Sequence, residues 1–164
     1  MQPTDYDALD DLHLLALCMW REGSNQPSDG RRAIGHVIRN RAAKPCWWGN
    51  SISSVILNPW QFSSFPVFKS GINVNKDPNC HRWPENEEEP AWIDSLGLAS
   101  VILEGTDHDN TSGATHYYDL SIGWPKAWGN QADYMNTLNI ARLRFWKLAP
   151  VTNHDAVADA VAEG

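Results

Sequence analysis

The chain has 164 residues, of which 13 are Lys or Arg and 20 are Asp or Glu, giving a formal net charge of −7. That is one domain's worth of chain, able to bury roughly 70% of its extended surface, and its acidity argues against nonspecific affinity for nucleic acid or anionic membrane. Three scattered cysteines (Cys18, Cys46, Cys80) make no disulfide framework, no apolar run approaches a membrane span, and the acidic stretch from Met1 to Asp11 has the wrong charge for a secretory signal.

Leu12 to Arg21 (LHLLALCMWR) predicts the first helix. Leu12, Leu15, Cys18 and Met19 share one stripe, with Leu14 and Leu17 beside it, so the helix is expected at the centre of the core. Asp10 or Asp11 would cap it and Gly23 would end it. Ala33, Ile34, Val37 and Ile38 predict a second helix from Asp29 to Arg41, capped by Ser28 or Asp29. A short helix over Ser51 to Leu57 stops before Pro59, and an aromatic loop follows from Trp60 to Phe68. Gly71 to Pro90 is rich in Asn, Pro and Glu without periodicity, a long excursion of the kind that carries function.

Ala91 to Glu104 predicts a further helix, ended by Gly105. Asp107 to Ala114 is a turn cluster and Thr115 to Tyr118 a short strand. Ala127 to Asn136 is loop or short helix. Asn139 to Leu148 alternates, with Ala141, Leu143 and Phe145 on one side; a strand fits, and a helix starting near Asp133 competes with it. Residues 150–164 are expected to be a flexible tail. The sum is a single α+β domain over 1–164, mainly helical with a small β element. Nine tryptophans exceed what packing requires and suggest a groove with flat apolar walls.

Glu22 is the sharpest chemical feature. It closes an apolar helix and is followed by glycine, which sets a carboxylate at the edge of the core. Apolar surroundings and the negative end of the helix dipole both raise its pKa, as a general acid near neutral pH needs. The plain alternative is a solvated side chain on the last turn. Gln61 and Ser63 are short polar groups among Trp60, Phe62 and Phe65, suited to sugar amides and hydroxyls or to a core cluster. On a strand, Tyr117 and Tyr118 face opposite ways, one to a cleft and one to the core. Asn40 would tie its helix end to a loop, and Arg41 would pair with an acid. Metal sites fare poorly: Cys80-His81 lacks zinc-ligand spacing, and Asp107 to Gly113 misplaces the glycine of a calcium loop. No metal and no cofactor are expected.

Glu22, Gly30, Ala33, Asn40 and Arg41, followed by Gln61-Phe62-Ser63 and by Gly113-Ala114-Thr115-His116-Tyr117-Tyr118, stand in an order and spacing that resemble the SleB/CwlJ-type cell wall hydrolases. The resemblance covers Leu12 to Tyr118 and weakens toward Phe145. It implies a lysozyme-like or lytic-transglycosylase-like fold acting on the glycan strands of peptidoglycan. It makes Glu22 the catalytic acid and then base, at the β-1,4 bond between N-acetylmuramic acid and N-acetylglucosamine. Gln61, Ser63, Trp60, Phe62, Tyr117 and Tyr118 become substrate-binding residues, and Gly30, Asn40 and Arg41 supporting ones. Many members carry an acid four residues after the glutamate; here that position is Gln26. A single acid favours a lytic transglycosylase giving 1,6-anhydro ends. A muramidase using Asp107, Asp109 or Asp119 as partner, and a noncatalytic wall-binding or virion domain, remain as alternatives. The lack of a long apolar run and the acidic first residues predict a chain made in the cytoplasm without a signal peptide or membrane insertion, and a monomer is expected. It would reach the wall after release, as phage endolysins do.

Overall fold

The computed structural model describes residues 6–149; the predicted tail over 150–164 lies outside the described residues. Helix α1 (Asp11–Gly23) is the axis of the molecule. Every residue from Leu14 to Arg21 is buried, and α2 (Ser28–Ala43), α3 (Ile52–Leu57) and α4 (Pro90–Glu104) all pack against it. The wide apolar stripe required this, since a helix apolar on most sides needs neighbours on most sides. Asp10 caps α1 by accepting from the His13 amide at 2.8 Å. The cap expected at Ser28 or Asp29 of α2 is not made. Pro27 holds the cap position without a side-chain bond, and Ser28 Oγ donates instead to Asp94 on α4 at 2.9 Å. Ser51 and Ser54 form a reciprocal capping box on α3. Gly105 ends α4 in the left-handed conformation, φ 78°.

The excursion after α3 is more ordered than its composition suggests. It opens with a small antiparallel pair, β1 (Phe68–Lys69) and β2 (Ile72–Asn73), and continues into a 3₁₀ turn over Pro78–His81. Arg21, at the end of α1, holds its flanks: Nε donates to Arg82 O at 2.8 Å and Nη1 to Ser64 O at 3.0 Å. Asn75 bridges inward, donating to Phe65 O at 2.7 Å.

A three-stranded antiparallel sheet completes the fold in the order β3 (His116–Asp119), β5 (Leu143–Leu148), β4 (Tyr134–Ile140). The expected single strand over 139–148 is therefore a hairpin, and the competing helix from Asp133 is absent. Ala141 sits in the two-residue turn at φ 53°, exposed, rather than beside Leu143 and Phe145 in the core. Two 3₁₀ turns, Lys126–Trp128 and Gln131–Asp133, precede β4. Tyr117 pairs with Phe145 on the sheet face that meets the helices. His116 pairs with Trp146 on the other face, where Tyr118, Trp124, Trp128 and Tyr134 join them in an aromatic cluster. No described helix is long and apolar enough to cross a membrane.

Candidate active site

The helices and the sheet meet at a cleft of about 910 Å³, with Glu22 in its wall. Gly23 permits the close crossing that shapes this end of α1. A Cβ there would stand 2.9 Å from Arg31 Cγ and 3.0 Å from Ile34 Cδ1 of α2. Glu22 is half-buried, keeping one side open to the cleft. Tyr117, from β3, donates its hydroxyl to Glu22 Oε1 at 3.2 Å. Burial pushes the Glu22 carboxyl up to about 7; the Tyr117 hydrogen bond opposes the rise and the negative charge of Asp77 adds to it. Burial and the neighbouring Glu22 in turn push the Tyr117 phenol up, so it remains a donor. The arrangement holds a carboxyl poised between its two protonation states at neutral pH, beside a groove open to solvent.

The sequence-predicted binding residues gather round it. Trp60, Gln61, Phe62 and Ser63 form one wall, and Tyr117 and Tyr118 part of the opposite one. Neither the Gln61 amide nor the Ser63 hydroxyl is hydrogen-bonded to another group among the described residues, which leaves both free to meet a ligand. Phe62 is buried, whereas Trp60 stands exposed at φ 66°, a conformation a bulky residue rarely adopts. Tyr117 and Tyr118 do face opposite ways. The second points not into the helical core but into the outer aromatic cluster, with its ring 5.6 Å from Trp128, so both border the cleft.

The supporting residues divide. Gly30 packs against Gln26, where a Cβ would come within 2.9 Å of Gln26 Cβ. Asn40 ties the end of α2 to the loop between α4 and β3 by donating to Asp109 Oδ2 and to Ala114 O, each at 2.9 Å. Neither Gly30 nor Asn40 lines the cleft; Arg41 does. The acid expected beside Arg41 is missing among the described residues. Its Nε donates to Thr115 O at 2.6 Å, and its guanidinium lies 5.6 Å from the Trp48 ring and 5.7 Å from that of Phe62.

Of the three aspartates considered as partners, two are used elsewhere. Asp107 contacts His36 Nε2 at 2.7 Å, and Asp109 takes the Thr111 and Gly113 amides at 2.8 and 2.9 Å. Asp119 does border the cleft. It accepts from the Ser121 amide at 2.8 Å, and its Ser121 hydrogen bonds hold it below the usual carboxylate range. Gln26 is buried and structural: its Oε1 accepts from the Arg142 amide at 3.3 Å.

Sequence reasoning missed Trp47, Ile122, Trp128 and Tyr134 as cleft residues. The count of tryptophans was the one signal for Trp47 and Trp128; Ile122 and Tyr134 gave none, because the segment leading to β4 has no periodicity to place it. Among the described residues no group of three or more His, Cys, Asp or Glu is arranged to hold a metal. Cys80 is buried while His81 is exposed.

The family model described as Cell Wall Hydrolase matches residues 25–146, beginning just after Glu22. Among solved structures, the catalytic domain of the germination-specific lytic transglycosylase SleB from Bacillus anthracis is 20% identical, with a TM-score of 0.58 over 89% of this chain and 100% of that one. The catalytic domain of the Bacillus cereus SleB protein is 22% identical, with a TM-score of 0.54 over 88% and 94%. At these identities the likeness is one of fold. No curated protein matches the chain. With the family model spanning most of the sequence, the chain belongs to the cell wall hydrolase family and is a cell-wall-degrading enzyme.

Proposed function

We propose that the enzyme cuts the β-1,4 bond between N-acetylmuramic acid and N-acetylglucosamine in peptidoglycan, with Glu22 as general acid and then base. The observation that carries this reading is the Glu22 carboxyl, held near half-protonation in the wall of an aromatic groove. Protonated, it gives its proton to the leaving glycosidic oxygen as the C1–O bond breaks. Deprotonated, it takes the proton of the muramoyl 6-hydroxyl as that oxygen closes on C1, leaving a 1,6-anhydro end. One acid suffices for both steps, and the buried Gln26 occupies the place where a second is common. Trp60, the exposed ring, would stack on a sugar face, with the buried Phe62 and Tyr118 backing the walls rather than stacking as the resemblance implied, and Gln61 and Ser63 would meet N-acetyl and hydroxyl groups. In this reading the enzyme works as a monomer, on a wall it reaches after release. The SleB domain from Bacillus anthracis is itself described as a lytic transglycosylase, which agrees with this route.

The position of Asp119 on the same cleft supports a second reading, a muramidase in which it assists water or the cationic centre. Digestion of purified sacculi in ¹⁸O water separates the two. The transglycosylase route gives unlabelled 1,6-anhydro ends and tolerates Asp119→Ala. Label at the new C1, with loss of turnover in Asp119→Ala, would establish the muramidase instead.

A further inference from the structure

Arg41 is only 6% exposed, yet it borders the cleft. Arg31, Arg32 and Arg142 each lie against a carboxylate, at 2.8, 3.4 and 3.7 Å. Arg41 has no such partner among the described residues. Nε is engaged with the Thr115 carbonyl, while Nη1 is shielded from solvent and donates to nothing. The titratable groups that bear on it most are Tyr117, Cys18 and Tyr134, each pushed up by burial and so uncharged near neutral pH. The rings of Trp48 and Phe62 hold the guanidinium in place and offset part of its lost hydration. A buried cation is costly unless paired, and among the described residues no carboxylate forms an ion pair with it, although Glu22 lines the same cleft. The cleft is the side from which one can come.

We propose that Arg41 is the receptor for a carboxylate on the muramoyl residue, and so sets which sugar of the glycan occupies that part of the cleft. With Nε held by Thr115 and Nη1 shielded from solvent, Nη2 is the terminal nitrogen left to meet a carboxylate oxygen from the cleft. The aromatic surroundings exclude water, which strengthens a charge-assisted hydrogen bond. N-acetylglucosamine carries no acid. N-acetylmuramic acid carries a 3-O-lactyl carboxyl, free where no stem peptide is attached, and otherwise the carboxylates of that peptide. The inference rests on peptidoglycan being the substrate; binding tests it without requiring turnover.

The test is calorimetric titration of the whole protein at pH 7 with two pairs of probes. One pair is the N-acetylglucosaminyl-N-acetylmuramic acid disaccharide and its lactyl carboxamide. The other is the peptide-bearing disaccharide and its form amidated at every peptide carboxyl. Wild type should bind the acid about tenfold tighter than the amide in one pair, a typical effect for a hydrogen bond to a charged group; the pair that responds identifies the carboxylate. Arg41→Gln should bind acid and amide within twofold. If that variant fails to fold, Arg41→Lys, which keeps the charge without the flat edge, should lose most of the preference. Acid and amide binding wild type within twofold in both pairs, or a variant retaining the full preference, would overturn the proposal. Sacculus digestion is scored separately: a protein that prefers the acid but never cuts glycan would refute the cleavage reading alone.

Discussion

Glu22 and Tyr117 are 95 positions apart in the chain, and their contact is what tunes the site. The Tyr117 hydroxyl favours the ionised carboxylate, so removing it raises the Glu22 pKa further above its value of about 7. Tyr117→Phe should therefore shift the alkaline limb of the kcat/KM profile to higher pH, the limb on which a general acid loses its proton. A limb that stays in place, or moves down, would mean that the hydroxyl does not act on Glu22. The glutamate was legible in the sequence because a carboxylate at the end of an apolar helix is a local feature. Its tyrosine partner was not assignable, since whether Tyr117 or Tyr118 faces α1 depends on the register of β3 against β5.

At the scale of elements, the turn carrying Trp47 into the cleft depends on Gly49. Its φ is 124°, and a Cβ there would stand 2.6 Å from Ser54 Oγ and 3.0 Å from the Ser54 carbonyl carbon. Gly49→Ala should lower stability by about 1–3 kcal/mol through backbone strain and overpacking, read as a lower denaturation midpoint at unchanged slope. Unchanged stability would show that the loop relaxes freely. The helices were legible because apolar spacing and end residues agree with one another at α1, α3 and α4. The β4–β5 hairpin was hidden for a local reason: its tight turn places Ala141, with φ 53°, where glycine is the usual signal. Without that signal the two strands merge into one alternating run. The cap on α2 was misplaced because Ser28 is drawn to Asp94, a partner that appears only when α4 packs alongside.

For the whole molecule, the raised pKa makes Glu22 a liability in base. A carboxyl titrating near 4.5 when unfolded and about 7 when folded contributes its stability in full below the lower value and loses it as pH rises through the upper one. With allowance for its open side, the loss is on the order of 2 kcal/mol by pH 8. Glu22→Gln should then melt above wild type at pH 8, with the gap closing toward pH 4. A gap that does not change with pH would mean that Glu22 is not desolvated. Stability is thus given up at the residue the cleft is built around, while the core of α1 stays apolar from Leu14 to Trp20.

The most direct test of the account is the pH dependence of sacculus turnover by wild type and by Glu22→Gln. Wild type should lose kcat/KM as pH rises through about 7, the value expected for Glu22. A folded Glu22→Gln protein should retain no more than about a hundredth of that activity, as removal of a general acid implies. A variant keeping more than about a tenth of wild-type turnover, with the same alkaline limb, would contradict the account and put the catalytic proton on another residue.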